Sequence, residues 1–224
     1  MLTHTDYTIS DEELQEAVNN LPSVDTRLVL NEPTGDFFYD PWELKSEFKN
    51  TIWQIVLDSL PKSKGEARLI KLEPGDCYPS HADVDDRWHL SISGNNSYLI
   101  DLENQQMYQT NDLGRWYLMD AGIRHTAANF GSESRVQLVV RKLLSRNQLR
   151  QPVKISIRLK EVIGERRFIF DDIISPWVNR AYKSGSINDF KGSDLEATMI
   201  IEHSILDDLI NISAGYFTIS IVSQ

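Results

Sequence analysis

The sequence predicts a mainly β domain, a sandwich or barrel, with helices before it and a small α+β appendage after it. Three observations carry that expectation. Short apolar runs broken by Gly, Asn, Asp and Pro extend from residue 51 to 144, a capped helical pattern precedes them, and a polar stretch at 145–152 separates them from a different pattern. At about 150 residues per domain, 224 residues allow one full domain and a smaller one.

Each element has its own signal. Ser10-Asp11-Glu12-Glu13 has the form of a capping box and leads into Leu14, Ala17, Val18 and Leu21, so a helix is expected over about 11–20, stopped by Pro22. Asp40-Pro41-Trp42-Glu43 repeats that logic with Pro at a first helical position. The runs Thr51–Leu57, Ala67–Leu72, His89–Ser93, Ser97–Leu102 and Gln106–Thr110 read as short strands, with turns at Gly94-Asn95-Asn96 and Glu103-Asn104-Gln105. Val136–Leu144 closes the series as a central strand, which places the main domain at 1–144 and a linker at 145–152. In the appendage, 153–224, strands are expected at Val153–Lys160, Arg166–Phe170, Ala197–Glu202 and Tyr216–Val222. Helices are expected from Ser175-Pro176-Trp177 and over Ile205–Ile212.

Composition excludes several classes. Hydrophobic residues at 41% and charged residues at 25% are ordinary globular usage, which rules out disorder, collagen and coiled coil. Lys+Arg 23 against Asp+Glu 33 gives −10 at pH 7, so the chain lacks the basic footprint of a nucleic-acid binder. No apolar run approaches the ~20 residues of a membrane-spanning helix. The single Cys77 excludes an internal disulfide and fits a cytoplasmic setting; it is expected to be inert packing.

There are five histidines, and their placement is informative. In an extended segment, residues i and i+2 point the same way, so His81-Ala82-Asp83 brings an imidazole and a carboxylate toward one point. Chance alone gives about 0.7 such H-x-[D/E] pairs at this composition, so the pair needs its surroundings. Those are turn-rich: Glu73-Pro74-Gly75-Asp76 precedes it, and Asp120-Ala121-Gly122-Ile123-Arg124 precedes His125. Two histidines and one carboxylate are the facial triad of non-haem Fe(II) oxygenases. Arg135, at the start of the last strand of the series, could fix the distal carboxylate of a dicarboxylate co-substrate through paired hydrogen bonds. Arg87 and His89, in Arg87-Trp88-His89-Leu90, share one strand face. Taken singly, an arginine is more often a solvated surface charge, and a histidine between Trp and Leu a hydrogen-bonded core residue.

The order His81-x-Asp83, Arg87-Trp88-His89-Leu90, His125 and Arg135 resembles the aspartyl/asparaginyl β-hydroxylase family of Fe(II)/2-oxoglutarate-dependent oxygenases, which includes bacterial L-proline 3-hydroxylases. The resemblance spans about residues 66–142. It implies a double-stranded β-helix, a cupin-like jelly roll. It further implies iron ligands His81, Asp83 and His125, with Arg135 on the C5 carboxylate of 2-oxoglutarate and Arg87 and His89 near its C1 end. Animal members that act on protein domains have Gly at the carboxylate position. Keeping Asp83, this chain is similar instead to the free-amino-acid hydroxylases. The implied reaction uses Fe(II), 2-oxoglutarate and O₂ to hydroxylate a C–H bond of an amino acid or peptide, releasing succinate and CO₂. Trp88, Trp116, Ser91 and Asn129 are pocket candidates whose alternative is plain packing.

Two other readings compete. A cupin-like binding module without catalysis would use the appendage for docking, and a metal-dependent isomerase or dioxygenase on the same fold would need no arginine anchor. The appendage, which carries no motif, would either cover the barrel mouth or mediate self-association into a homo-oligomer.

Overall fold

The computed structural model describes residues 1–160, 170–192, 195–213 and 215–222. Packing divides the chain into one unit of Met1–Ser80 with Asp85–Leu143 and another of His81–Val84 with Leu144–Gln224.

The first unit opens with strand β1 (Leu2–Thr8) and helix α1 (Asp11–Asn19). The capping box forms as the sequence predicts: the Glu13 amide donates to the Ser10 hydroxyl at 3.2 Å, and the Ser10 amide to the Glu13 carboxylate at 2.7 Å. Strands β2 (Arg27–Val29), β3 (Asn31–Pro33) and β4 (Trp42–Leu44) and helix α2 (Ile52–Asp58) follow.

Two local expectations are corrected here. Pro41-Trp42-Glu43 starts no α-helix; β4 pairs antiparallel with β3, and Asp40 accepts from the Asp36 amide inside the connecting loop instead of capping a helix. Residues 51–57 form no strand either. Thr51 caps α2 by accepting from the Trp53 amide, and Ile52, Trp53, Val56 and Leu57 are its buried residues, a helical spacing that a short apolar run leaves indistinct from a strand.

The remaining strands are β5 (Lys64–Leu72), β6 (Arg87–Ser93), β7 (Ser97–Asp101), β8 (Gln106–Gln109), β9 (Arg115–Met119), β10 (His125–Asn129) and β11 (Arg135–Lys142). Beside the β3-β4 pair, a large sheet has the order β1-β9-β6-β11-β5-β2 and a small one β10-β7-β8. Cys77 bridges Ala128, and the Tyr78 amide donates to the Ala127 carbonyl at 2.7 Å, so the segment before His81 takes the fourth place beside β10. From β5 to β11 the chain therefore visits the large sheet, the small, large, small, small, large, small and large. That alternation is the double-stranded β-helix. Cys77 is exposed rather than packed.

Strand alternation sorts β6 and β11 into two faces. Trp88, Leu90, Ile92, Val136, Leu138 and Val140 join the core that contains Ala17 of α1 and Trp53, Val56 and Leu57 of α2. Their neighbours in sequence, Arg87, His89, Ser91, Arg135, Gln137 and Arg141, are also buried, on the opposite face. Val139, paired with His89, is the apolar exception on that face, and a face otherwise polar yet buried encloses chemistry. Gly94, at φ +105° between β6 and β7, permits the close approach: a Cβ there would lie 2.8 Å from Cα of Arg135.

The second unit contains β12 (Pro152–Leu159), a π-helical turn (Phe170–Ile174) running into α3 (Ser175–Lys183), β13 (Ile187–Gly192), β14 (Glu196–Glu202), α4 (Leu206–Ser213) and β15 (Phe217–Ile221). Its antiparallel sheet has the order β13-β14-β12-β15, and Ile155, Ile157, Ile187, Phe190, Met199, Ile201 and Leu209 are buried. The strand expected at 166–170 falls mostly outside the described residues, and Phe170 opens the π-helical turn.

Candidate metal centre

His125 starts β10 opposite Asp101 of β7 and is 3% exposed. Its Nδ1 lies 2.7 Å from the Ile123 carbonyl, an acceptor only, so Nδ1 carries the proton and Nε2 the lone pair. His81 and Asp83 lie between β5 and β6, with Nε2 of His81 3.7 Å from Oδ2 of Asp83. One ligand atom from each of His81, Asp83 and His125 lies within 4.8 Å of the others, a group that could hold a metal ion. Two imidazoles and a carboxylate are a donor set suited to first-row divalent ions, including Fe(II).

A polar network lies on the inward face of β6 and β11. Ser91 pairs with Gln137 and His89 with Val139 in the ladder. Arg135 donates to Oε1 of Gln137. Because that oxygen accepts, Nδ1 of His89, 3.1 Å from the same atom, must be the donor. The Gln137 amide in turn donates to Ser91 at 3.0 Å, and Ser91 to the Thr110 carbonyl at 2.5 Å. The tautomer this fixes leaves Nε2 of His89 a buried lone pair with no donor against it among the described residues. Nε of Arg135 is likewise buried without an acceptor among them. Among the described residues Arg135 has no acidic partner.

Electrostatics follow from this burial. Desolvation, then the Gln137 hydrogen bond working against it, then the charges of Arg135, His125 and Arg87, bring His89 down from 6.5 to about 3, so it is neutral near pH 7. Desolvation alone lowers the Arg135 guanidinium from 12.5 to about 9, which leaves it charged at neutral pH and costly to bury. Asp85 sits between two buried guanidiniums: Arg87 donates to its carboxylate and, at 3.0 Å, to its carbonyl, and Nε of Arg141 donates at 2.7 Å. Arg141 also stacks over Phe37 at 4.1 Å from the ring centre.

Of the pocket candidates, Trp88 and Trp116 belong to the core with α1 and α2. Asn129 ties a turn, donating to the Leu72 and Glu133 carbonyls and accepting from the Gly131 amide. Only Ser91 enters the polar network. Sequence reading passed over Gln137, which joins Arg135, His89 and Ser91, and Asp85, which joins Arg87 and Arg141. The available signal for Gln137 was a lone amide inside the apolar run Val136–Val140.

Residues 45–143 match the family described as aspartyl/asparaginyl beta-hydroxylase. The match begins well before residue 66 and takes in α2, which packs on the jelly roll. It contains all six of His81, Asp83, Arg87, His89, His125 and Arg135. No curated protein matches the chain. Solved structures similar to it include a cupin domain from Bordetella pertussis Tohama I, at 16% identity over 37% of this chain and 84% of that one, with a TM-score of 0.32. A conserved protein of unknown function from Streptococcus pyogenes has 23% identity over 38% and 69%, with a TM-score of 0.30. The Drosophila melanogaster CENP-C cupin domain has 12% identity over 58% and 93%, with a TM-score of 0.31. The jelly-roll assignment rests on the strand order. Among the described residues no helix is long and apolar enough to cross a membrane.

Proposed function

We propose that this chain is an Fe(II)- and 2-oxoglutarate-dependent hydroxylase acting on an amino acid or a peptidyl residue. The observation that carries the reading is the uncompensated cation: Arg135 is 2% exposed and, among the described residues, lacks an acidic partner and keeps an unused Nε–H, on a strand in the same family-matched segment as the His81/Asp83/His125 group. A folded protein holds such a charge at a cost that a bound carboxylate repays.

In this reading His81, Asp83 and His125 would hold the metal. The chemistry supplied by bound iron is oxygen activation, in which 2-oxoglutarate is decarboxylated to succinate and CO₂ and one oxygen atom is inserted into a C–H bond. The chain's own contribution is placement. Arg135, aimed by Gln137, receives the C5 carboxylate, while Arg87, held by Asp85, serves the C1 end with His89. His89 enters that role as a donor only after taking up a proton, since its buried Nε2 would otherwise face an anion with a lone pair. The apolar wall formed with α1 and α2 shields the large sheet from water.

Anaerobic titration tests the reading. Adding 2-oxoglutarate to the Fe(II)-loaded chain is expected to produce a visible metal-to-ligand absorption band, absent from His81→Ala. No band in the wild-type chain would refute it. A mass-spectrometric screen for products one oxygen atom heavier, over amino acids and peptides, then identifies the substrate.

A further inference from the structure

Residues 81–84 interrupt a jelly roll in sequence yet pack with the residues that follow Leu144. Their burial alternates. Ala82 and Val84 are buried at 1% and 8% exposure, while the side chains of His81 and Asp83 are each 18% exposed. A two-residue period in an extended segment means that one side is gripped and the other presented. Helix α3 supplies one hold on this segment. A helix covering only its own sheet buries a single stripe, but in α3 every residue except Arg180 and Lys183 is buried. One buried polar residue, Asn179 at 3% exposure, donates its side-chain amide to the Val84 carbonyl at 3.2 Å.

We propose that Asn179 is a positioning residue for the metal site: by holding the Val84 carbonyl it fixes the direction in which His81 and Asp83 point, which makes the C-terminal unit part of the site's scaffold. The proposal rests on His81 and Asp83 being metal ligands, as argued above. It gives residues 144–222 a task within the same chain, distinct from partner docking. Ligands point correctly only when their backbone is fixed; loss of a hydrogen bond made directly to a ligand typically costs 10- to 100-fold in metal affinity, and that range is the scale for a bond to the adjoining backbone.

The test is Co(II) binding to the full-length apo chain, followed by its visible absorption, with thermal melting and amide exchange of residues 81–84 read on the same samples. Asn179→Leu, close in volume and without the donor, is expected to weaken Co(II) binding by about 10- to 100-fold and to speed exchange at 82–84. The control is Trp177→Phe, which removes another buried hydrogen bond of α3, to Asp208 at 2.7 Å, remote in partner from 81–84. It is expected to lower the melting temperature as much while leaving Co(II) affinity within about twofold, the pattern of a purely structural loss. Should Asn179→Leu not fold, Asn179→Ser makes the smaller change with the same expected direction. Unchanged affinity in the Asn179 variants, or an equal loss in Trp177→Phe, overturns the proposal. A wild-type chain that binds no Co(II) overturns the metal reading itself, and this inference with it.

Discussion

Arg135→Met makes a prediction with two opposite signs. For a cation, a folded-state pKa below the unfolded one destabilises the fold at every pH under the lower value, and the drop from 12.5 to about 9 corresponds to about 5 kcal/mol at pH 7. Replacing the guanidinium by a thioether of similar length removes that cost. It also removes the charged hydrogen bond to Gln137, worth about 1.5–3 kcal/mol, while Gln137 keeps His89 as its partner. The ligand-free variant should therefore be more stable by about 2–3 kcal/mol, a rise of about 5–10 °C in melting temperature for a chain of this size. Its affinity for 2-oxoglutarate should fall roughly 30- to several-thousand-fold, because a buried carboxylate has lost its partner. Thermal melts of both chains with and without 2-oxoglutarate, metal present throughout, read both signs. A variant that melts at or below wild type without ligand would refute the uncompensated charge, and an equal ligand-induced rise in both chains would refute the anchor.

The other predictions concern neighbouring groups. His89 is held neutral down to about pH 3, against 6.5 when unfolded, so the folded chain binds fewer protons between those values and loses stability as pH falls through that window; chemical denaturation of His89→Gln should show a flatter profile there. If His89 becomes a donor to the co-substrate, 2-oxoglutarate binding near pH 7.5 takes up close to one proton, measurable by calorimetry in buffers of different ionisation enthalpy, and His89→Gln removes the uptake. Asp85→Ala leaves the Arg87 and Arg141 guanidiniums without their shared carboxylate and should cost about 3–5 kcal/mol by denaturant titration. Gly94→Ala meets both a positive φ and the Arg135 backbone, and should cost about 2 kcal/mol or more while weakening 2-oxoglutarate binding.

What was legible in the sequence follows from how local each signal is. The strand runs between 67 and 144, the Gly94 turn and the capping box at Ser10 are written within a few residues, and all appear in the fold. The candidate metal group was legible because His81 and Asp83 share a side of an extended segment and because histidines are scarce. Thr51–Leu57 was misread because seven residues cannot separate a helix from a strand. Pro41 misled because Pro also suits the position just ahead of a short strand, here Trp42–Leu44. Strands β1 and β13 gave no strand signal; Leu2–Thr8 is largely exposed and gains its place by pairing with β9. The link from Asn179 to Val84, across 95 positions, could not be read from any window of sequence.

The central claim is that His81, Asp83 and His125 with Arg135 make a 2-oxoglutarate oxygenase site. Its most direct measurement is succinate formed from 2-oxoglutarate in the presence of Fe(II) and O₂. The account predicts formation that requires both, lost in His81→Ala and reduced in Arg135→Met in proportion to lost co-substrate binding. Wild-type chain that forms none, or His81→Ala that forms as much as wild type, would contradict it.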